Sequence, residues 1–411
     1  MSPASQRLQT ERWLTLIGLG EDGLAGLGRE AQDLIRAADL VCGGARHLEL
    51  CSDLISGERH TWLSPFERSM ELVESRRGER VVVLASGDPF FYGVGVTLAR
   101  RIARDEMHVI PAPSSFSLAA SRLGWALQEI ETVSLHGRPV DLIRPHLHPG
   151  ARIIALTSDD KGPGELAALL TALGFGETEM VVLEALGGER ERVTRQVAHA
   201  FSMTGINSLN VCALTVKAGP SARVIPFANG LDDSLFEHDG QLTKREVRAM
   251  TLSALAPRQG ELLWDIGGGS GSVSIEFLLC HPSLRAIAIE GNSERAGRIR
   301  RNATAFGVPS LEVVEGMAPA ALAGLPMPDV IFVGGGGSEP GVMDAAIAAL
   351  PSGGRLVANG VTLEMEAMLL SCFQQHGGSL TRIDIQRASP VGHMHGWRAA
   401  MPVTQWAWVK P

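Results

Sequence analysis

Short apolar stretches alternate with amphipathic stretches along most of the chain. The apolar residues 14–20 predict a buried strand that runs into a glycine turn, and residues 25–38 follow with helical spacing. A second unit of this kind has a strand at 80–85, a turn at 86–89 and a helix over 90–101. Repeated strand–helix units predict an α/β protein.

The alternation continues to about residue 225, where the periodicity ends. We predict a first α/β domain over residues 1–225 and a linker over residues 226–239, which are rich in Gly, Pro, Asp and Ser. The remaining elements predicted in this domain are strands at 151–157, 180–185 and 209–216 and helices at 163–173 and 189–201.

A second α/β domain is predicted over residues 240–411. Thr243 is expected to be a helix N-cap, with Glu246 completing a capping box, before a helix over 244–255. Alternating strands and helices after it predict a doubly wound parallel sheet, and residues 402–409 predict a late antiparallel strand. Its parallel strands are predicted at 261–266, 285–290, 311–315, 329–333 and 354–359.

Composition narrows the class of protein. A length of 411 residues favours two hydrophobic cores, and 45% hydrophobic with 20% charged residues is typical of a globular protein. A net charge of -8 argues against nucleic-acid binding. No apolar stretch is long enough to span a membrane and the first residues lack a signal-peptide core, so we expect a cytoplasmic enzyme. No pair of cysteines has metal-ligand spacing, and no metal is expected.

A glycine-rich turn in the second domain indicates a nucleotide site. The predicted strand 262–266 runs into Gly267-Gly268-Gly269-Ser270-Gly271, where amide groups near a helix N-terminus can meet a ligand. The next strand ends at Glu290, whose carboxylate can accept from both ribose hydroxyls. A dinucleotide fingerprint would need glycine at position 272, where Ser272 stands. The pattern, with Asp265 ahead of the turn, instead resembles the first motif of class I methyltransferases.

Three further segments resemble the decarboxylating precorrin methyltransferase domain of cobalamin biosynthesis. They are residues 242–248 (LTKREVR), 315–319 (EGMAP) and 334–340 (GGGGSEP). The resemblance implies a Rossmann-like class I methyltransferase fold that binds S-adenosylmethionine. The cofactor-binding residues that it implies are Thr243, Gly267, Gly268, Gly269, Ser270, Gly271, Glu290 and Ala318.

The first domain is similar to the class III tetrapyrrole methylases. The resemblance lies in residues 18–24 (GLGEDGL), 86–89 (SGDP), 111–117 (PAPSSFS) and 134–138 (SLHGR), although Glu21 replaces the usual proline. It implies a second S-adenosylmethionine site, so that each domain has one. For Asp88 an N-cap role before the helix 90–101 stays open beside the ligand role. The cofactor-binding residues expected here are Gly18, Gly20, Gly87, Asp88, Ser114 and Ser115.

The two resemblances together imply a tetrapyrrole substrate. The expected reaction is methylation of a precorrin at carbon 5 by the first domain, and methylation at carbon 15 with loss of the ring C acetate carboxyl by the second. No catalytic side chain is assigned, because positioning of an activated methyl group supplies much of the acceleration. Candidate partners for substrate carboxylates are Lys244, Arg245, His136, Arg138, His393, His395 and Arg398.

Some alternatives remain open from the residues alone. His393 and His395 have the spacing of a metal pair, but no third ligand is apparent. A nicotinamide-dependent dehydrogenase with a second substrate domain and a non-catalytic S-adenosylmethionine-binding regulator are the other candidate functions. We also expect a homo-oligomer, although no motif bears on assembly.

Overall fold

The computed structural model describes residues 12–411, which form two compact units. The first unit contains residues 12–140 together with His148–Arg223, and the second contains Asp141–Leu147 and Val224–Pro411. Among the residues described, no helix combines the length and apolar character that a membrane span requires.

The first unit begins with a five-stranded parallel sheet. Its central strands are buried on both faces, as expected where helices cover a parallel sheet. The strands are β1 (Leu14–Leu19), β2 (Leu40–Gly43), β3 (Glu58–Thr61), β4 (Val81–Ser86) and β5 (Met107–Ile110), in the order β3-β2-β4-β1-β5. The helices are α1 (Arg29–Ala37), α2 (Ala45–Leu50), α3 (Glu67–Ser75) and α4 (Val94–Leu98).

A second, mixed sheet completes this unit. Its strands pair in the order β6-β7-β10-β8-β9, and only β6 and β7 run parallel. The elements are α5 (Ser115–Leu123), β6 (Glu131–Ser134), β7 (Arg152–Leu156), α6 (Gly162–Ala172), β8 (Glu179–Glu184), β9 (Arg192–Val197) and β10 (Asn210–Thr215).

Two helices predicted in the first unit are corrected by the structure. The predicted helix 189–201 instead contains the edge strand β9, whose backbone pairs with β8 and whose charged side chains lie at the exposed edge. Arg192 there donates to Glu184 of β8 at 2.6 Å. The predicted helix 90–101 shortens to α4, because Gly93 and Gly95 pack against the backbone of Pro89 and keep the preceding residues in turns.

The second unit has the doubly wound sheet and the late antiparallel strand that the sequence predicts. Its strand order is β13-β12-β11-β14-β15-β19-β16; the first five run parallel, while β19 and β16 are antiparallel additions. A separate hairpin joins β17 and β18. The elements are α7 (Arg245–Leu255), β11 (Leu262–Ile266), α8 (Ser272–Cys280), β12 (Arg285–Glu290), α9 (Ser293–Ala305), β13 (Glu312–Glu315), β14 (Val330–Val333), α10 (Val342–Ala349), β15 (Arg355–Gly360), α11 (Leu363–His376), β16 (Ser379–Ile383), β17 (Gln386–Val391), β18 (Met394–Ala399) and β19 (Val403–Val409).

The segment before α7 is packed rather than loose. Leu231 and Phe236, both within the predicted linker 226–239, are buried in the core of the second unit. A fully buried ion pair holds this segment, because Arg248 of α7 donates to Glu276 of α8 at 2.5 Å and Glu276 accepts from the backbone of Leu231 at 2.9 Å.

The start of α7 differs by one residue from the prediction. Lys244, not Thr243, is the N-cap, and its side chain makes no capping hydrogen bond. The reason is that the guanidinium of Arg248 donates to the carbonyl oxygen of Thr243 at 2.5 Å, which keeps Thr243 outside the helix. Its position places Thr243 at the wall of a cavity.

Candidate functional sites

The second unit contains a cavity of about 580 Å³ at the carboxyl ends of its parallel strands. The strand order reverses between β11 and β14, and ligands of open α/β sheets bind in the crevice at such a point. Seven residues predicted from the sequence line this cavity. They are Thr243, Lys244, Gly267, Gly268, Gly269, Glu290 and Ala318.

Glu290 lies at the end of β12 and is linked to the glycine turn. Its Oε2 accepts from the backbone N–H of Gly269 at 2.8 Å, and its Oε1 accepts from that of Asn292 at 2.9 Å. The side chain is only 7% exposed but lines the cavity. Each oxygen keeps a lone pair for a further donor, so the carboxylate can accept from ribose hydroxyls.

The glycines of the turn differ in what lies next to them: neighbouring residues or the cavity. A Cβ atom on Gly267 would lie 2.5 Å from the carbonyl oxygen of Gly335, and one on Gly271 would lie 2.8 Å from Ile299 of α9. Gly269, with φ +60°, faces the cavity. Ser270 and Gly271 do not line the cavity; the carbonyl of Ser270 accepts from Asn302 at 2.9 Å.

Asp265 is the last residue but one of β11, just before the glycine turn. Its carboxylate is 1% exposed and accepts from the Ser274 hydroxyl and backbone N–H at 2.5 and 3.2 Å. Burial raises the pKa of Asp265 to about 6, against the opposing hydrogen bonds from Ser274, and nearby Glu290 adds to the rise.

The predicted substrate-binding residues of this unit separate in space. Lys244 lines the cavity, whereas Arg245, His393, His395 and Arg398 do not. His395 and Arg398 lie on the exposed strand β18, and His393 lies in the turn before it. Within residues 12–411 no group of three or more His, Cys, Asp or Glu side chains could hold a metal ion.

Several polar residues of this cavity were missed by the sequence reasoning, among them Arg387 and Asn359. Arg387 of β17 lines it and forms an ion pair with Glu246. Asn359 of β15 also lines it. Asn359 closes a predicted parallel strand, and the rule that ligands bind beyond the carboxyl ends of strands could have identified it.

The first unit has its own cavity, of about 880 Å³, lined by both of its sheets. Six predicted residues line it: Gly20, Gly87, Ser114, Ser115, His136 and Arg138. Gly18 does not line it. A Cβ atom on Gly18 would lie 2.0 Å from the carbonyl oxygen of Gly87, so glycine is required there for close backbone packing. Asp88 does not line the cavity either. Its carboxylate accepts from the backbone N–H of Phe90 at 2.8 Å within a turn, and Gly93, not Asp88, is the N-cap of α4.

Cationic and aromatic side chains form much of the wall of the first unit's cavity. Arg46, at the start of α2, is paired with Glu21 and donates to Ser86 Oγ at 3.1 Å. Burial, with Arg46 beside it, lowers the pKa of His47 to about 4. Such a wall suits a flat, carboxylate-bearing ligand. The sequence reasoning missed the aromatic and cationic members Arg46, His47, Trp62, Phe90, Phe91, Tyr92 and Arg100.

Comparisons with known proteins match both units. The family described as "Precorrin methyltransferase domain" matches residues 234–410, and "Tetrapyrrole (Corrin/Porphyrin) Methylases" matches residues 13–200. A "Precorrin-6Y C(5,15)-methyltransferase [decarboxylating]" from Sinorhizobium sp is 67% identical over 398 residues, which cover 97% of this chain and 96% of the relative.

Two shorter relatives each match less than half of the chain. A "Cobalt-precorrin-7 C(5)-methyltransferase" from Salmonella typhimurium is 34% identical over 47% of this chain and 93% of its own length. A "Probable cobalt-precorrin-6B C(15)-methyltransferase (decarboxylating)" from Pyrobaculum calidifontis is 39% identical over 43% of this chain and 95% of its own length.

Proposed function

Since the chain belongs to the family of decarboxylating precorrin-6Y C5,15-methyltransferases, we propose that its two cavities divide the family's reaction between them. The protein is a methyltransferase that acts on a precorrin at carbons 5 and 15 and removes a carboxyl group in cobalamin biosynthesis. The methyltransferase relatives count against a dehydrogenase and against a regulator without catalysis. In our proposal the first unit methylates carbon 5, and the second methylates carbon 15 and decarboxylates.

The methyl donor of these families is S-adenosylmethionine, and we propose one site for it in each unit. The observation that carries this proposal is the carboxylate of Glu290 beside Gly269, at the strand-order reversal of the second unit. A carboxylate at the end of the second strand is the partner expected for ribose hydroxyls, and Gly269 leaves space for close approach. In the first unit the corresponding residues are Gly20, Gly87, Ser114 and Ser115.

The residues of the chain act by binding and orienting. S-adenosylmethionine supplies an activated methyl group when bound, so no protein nucleophile is needed. Glu290, the Gly267–Gly269 turn and Thr243 hold the donor in place, while the apolar part of each cavity excludes water from the acceptor. Lys244 in the second unit, and Arg46, His136 and Arg138 in the first, can bind substrate carboxylates.

The number of donor sites can be tested by calorimetric titration of the full chain with S-adenosylhomocysteine. We expect two sites per chain. Gly269→Val should remove one, because a β-branched residue at φ +60° is strained and fills the cavity. Gly324→Ala is the control, because Gly324 also has a positive φ but lies in open space away from the cavity. One site in the unaltered protein would refute the proposal.

A further inference from the structure

The cavity of the second unit extends beyond the proposed donor site toward the end of β15. Adjacent strands lie about 5 Å apart, so β15, two strands from β11, ends roughly 10 Å from the glycine turn. The wall on this side is almost entirely apolar. Its members are Val361, Ile383, Ile385, Ala400, Met401 and Val403.

Asn359 is the polar side chain set into this apolar wall at the end of β15. Its Nδ2 donates to Thr251 Oγ1 at 2.9 Å, and its Oδ1 accepts from Gln405 Nε2 at 2.9 Å. Gln405 also donates to Thr251 Oγ1 at 3.2 Å. Thr251 is fully buried and Gln405 is 5% exposed, so three polar side chains form a satisfied network in the core.

The network fixes which way the amide of Asn359 points. The hydroxyl of Thr251 donates to the carbonyl of Val247 at 2.9 Å, so its oxygen can act only as an acceptor toward Asn359. The Nδ2 atom must therefore face Thr251. Its second N–H has no partner among residues 12–411, while Asn359 itself lines the cavity. On its mostly apolar side the cavity thus offers an oriented, uncharged hydrogen-bond donor.

We propose that Asn359 is a catalytic residue of the decarboxylation, and that its free N–H donates to the acetate carboxylate that is lost. This inference rests on the proposed function of the second unit. In the step, the bond between the acetate CH₂ and the carboxylate breaks, and carbon dioxide leaves. The electron pair passes into the conjugated macrocycle, and a proton from water then completes the new methyl group.

An uncharged donor suits this step better than a cation does. The carboxylate charge moves into the macrocycle as the bond breaks, so a tight ion pair would stabilise the starting state more than the transition state. Arg387, the cation on β17 that follows Ile385 of this wall, is also engaged elsewhere, since it pairs with Glu246. Thr251 and Gln405 do not line the cavity and act as positioning residues.

The test uses the full chain with precorrin-6B, S-adenosylmethionine and measurement of released carbon dioxide. Asn359→Leu, which removes the donor, should slow carbon dioxide release about ten- to hundredfold, because the acetate carboxylate loses the hydrogen bond that holds it in the orientation required for bond cleavage. Thr251→Val should slow it less, because Asn359 stays but is no longer oriented. Both variants should keep two S-adenosylhomocysteine sites of unchanged affinity.

Thr404→Val is the matched control, because Thr404 precedes Gln405 on β19, is equally buried and does not line the cavity. It should release carbon dioxide at the normal rate. The inference is overturned if Asn359→Leu releases carbon dioxide normally, or if its donor affinity falls in step with its activity. An unaltered chain that releases no carbon dioxide would instead refute the proposed function.

Discussion

The backbone N–H of Gly269 lies 2.8 Å from Oε2 of Glu290 and donates to it. This bond ties the turn after β11 to the end of β12, the two adjacent strands that border the proposed donor site. Glu290 therefore has two roles in our account: it shapes the glycine turn and it offers lone pairs to the ribose. Both roles depend on the carboxylate and not on the bulk of the side chain.

We predict that Glu290→Ala weakens S-adenosylhomocysteine binding at the second site by tenfold or more, because hydrogen bonds to a charged group contribute about 1.5–3 kcal/mol each. Glu290→Gln should weaken it less, since one acceptor oxygen remains. The affinity of the other site should not change. The matched control is Glu294→Ala, which removes an exposed carboxylate four residues away. Calorimetric titration measures both affinities, and normal binding by Glu290→Ala would contradict the assignment.

The buried pair of Arg248 and Glu276 should be essential for stability. Arg248→Met leaves the carboxylate of Glu276 buried without its cation, which is expected to lower the free energy of unfolding by about 3–5 kcal/mol. Arg300→Met is the control, because Arg300 pairs with Glu315 at the surface and should contribute about 1 kcal/mol or less. Urea unfolding measures the difference. Equal stability of the two variants would show that the buried pair does not hold the unit together.

Asp265 should make stability depend on pH in the acid range. Its pKa is about 6 in the folded protein against 3.8 for the ordinary side chain, so between these values the native state holds a proton that the unfolded state has lost. The free energy of unfolding therefore falls as pH rises through this window, by about 3 kcal/mol from this group. Asp265→Asn should remove that part of the decrease. Urea unfolding from pH 4 to 7 tests it, and parallel curves for both proteins would contradict it.

Much of the second unit could be predicted from its sequence, because apolar strands and glycine turns are local signals. The hairpin β17–β18 was missed because it buries no continuous apolar face: Met394 and Trp397 are each 75% exposed. Strand β9 was predicted as a helix because its sequence is charged and its backbone pairing with β8 is not visible locally.

The parts of the site that are formed by strand ends and glycine turns could be predicted from the sequence. The parts that depend on contacts between side chains far apart in the sequence could not. Gly267, Gly269 and Glu290 follow strands recognisable from the sequence, and all three line the cavity. The orientation of Asn359 instead depends on Thr251, 108 residues earlier, and Gln405, 46 residues later. Likewise, whether Gly18 meets a ligand or the backbone of Gly87 depends on how β1 and β4 pack.

The division of labour between the two units is the central claim, and product analysis after incubation with precorrin-6B and labelled S-adenosylmethionine tests it most directly. Gly20→Val fills the first cavity, and its Cβ would lie 2.5 Å from the carboxylate of the exposed Asp22 side chain, which must move aside. Mass spectrometry should then find a decarboxylated macrocycle with one methyl group, on carbon 15. Gly269→Val fills the cavity in which we place both carbon 15 methylation and loss of the carboxyl group, so it should give one methyl group on carbon 5 and keep the carboxyl group. Loss of both methylations and of decarboxylation together in either folded variant would contradict the account.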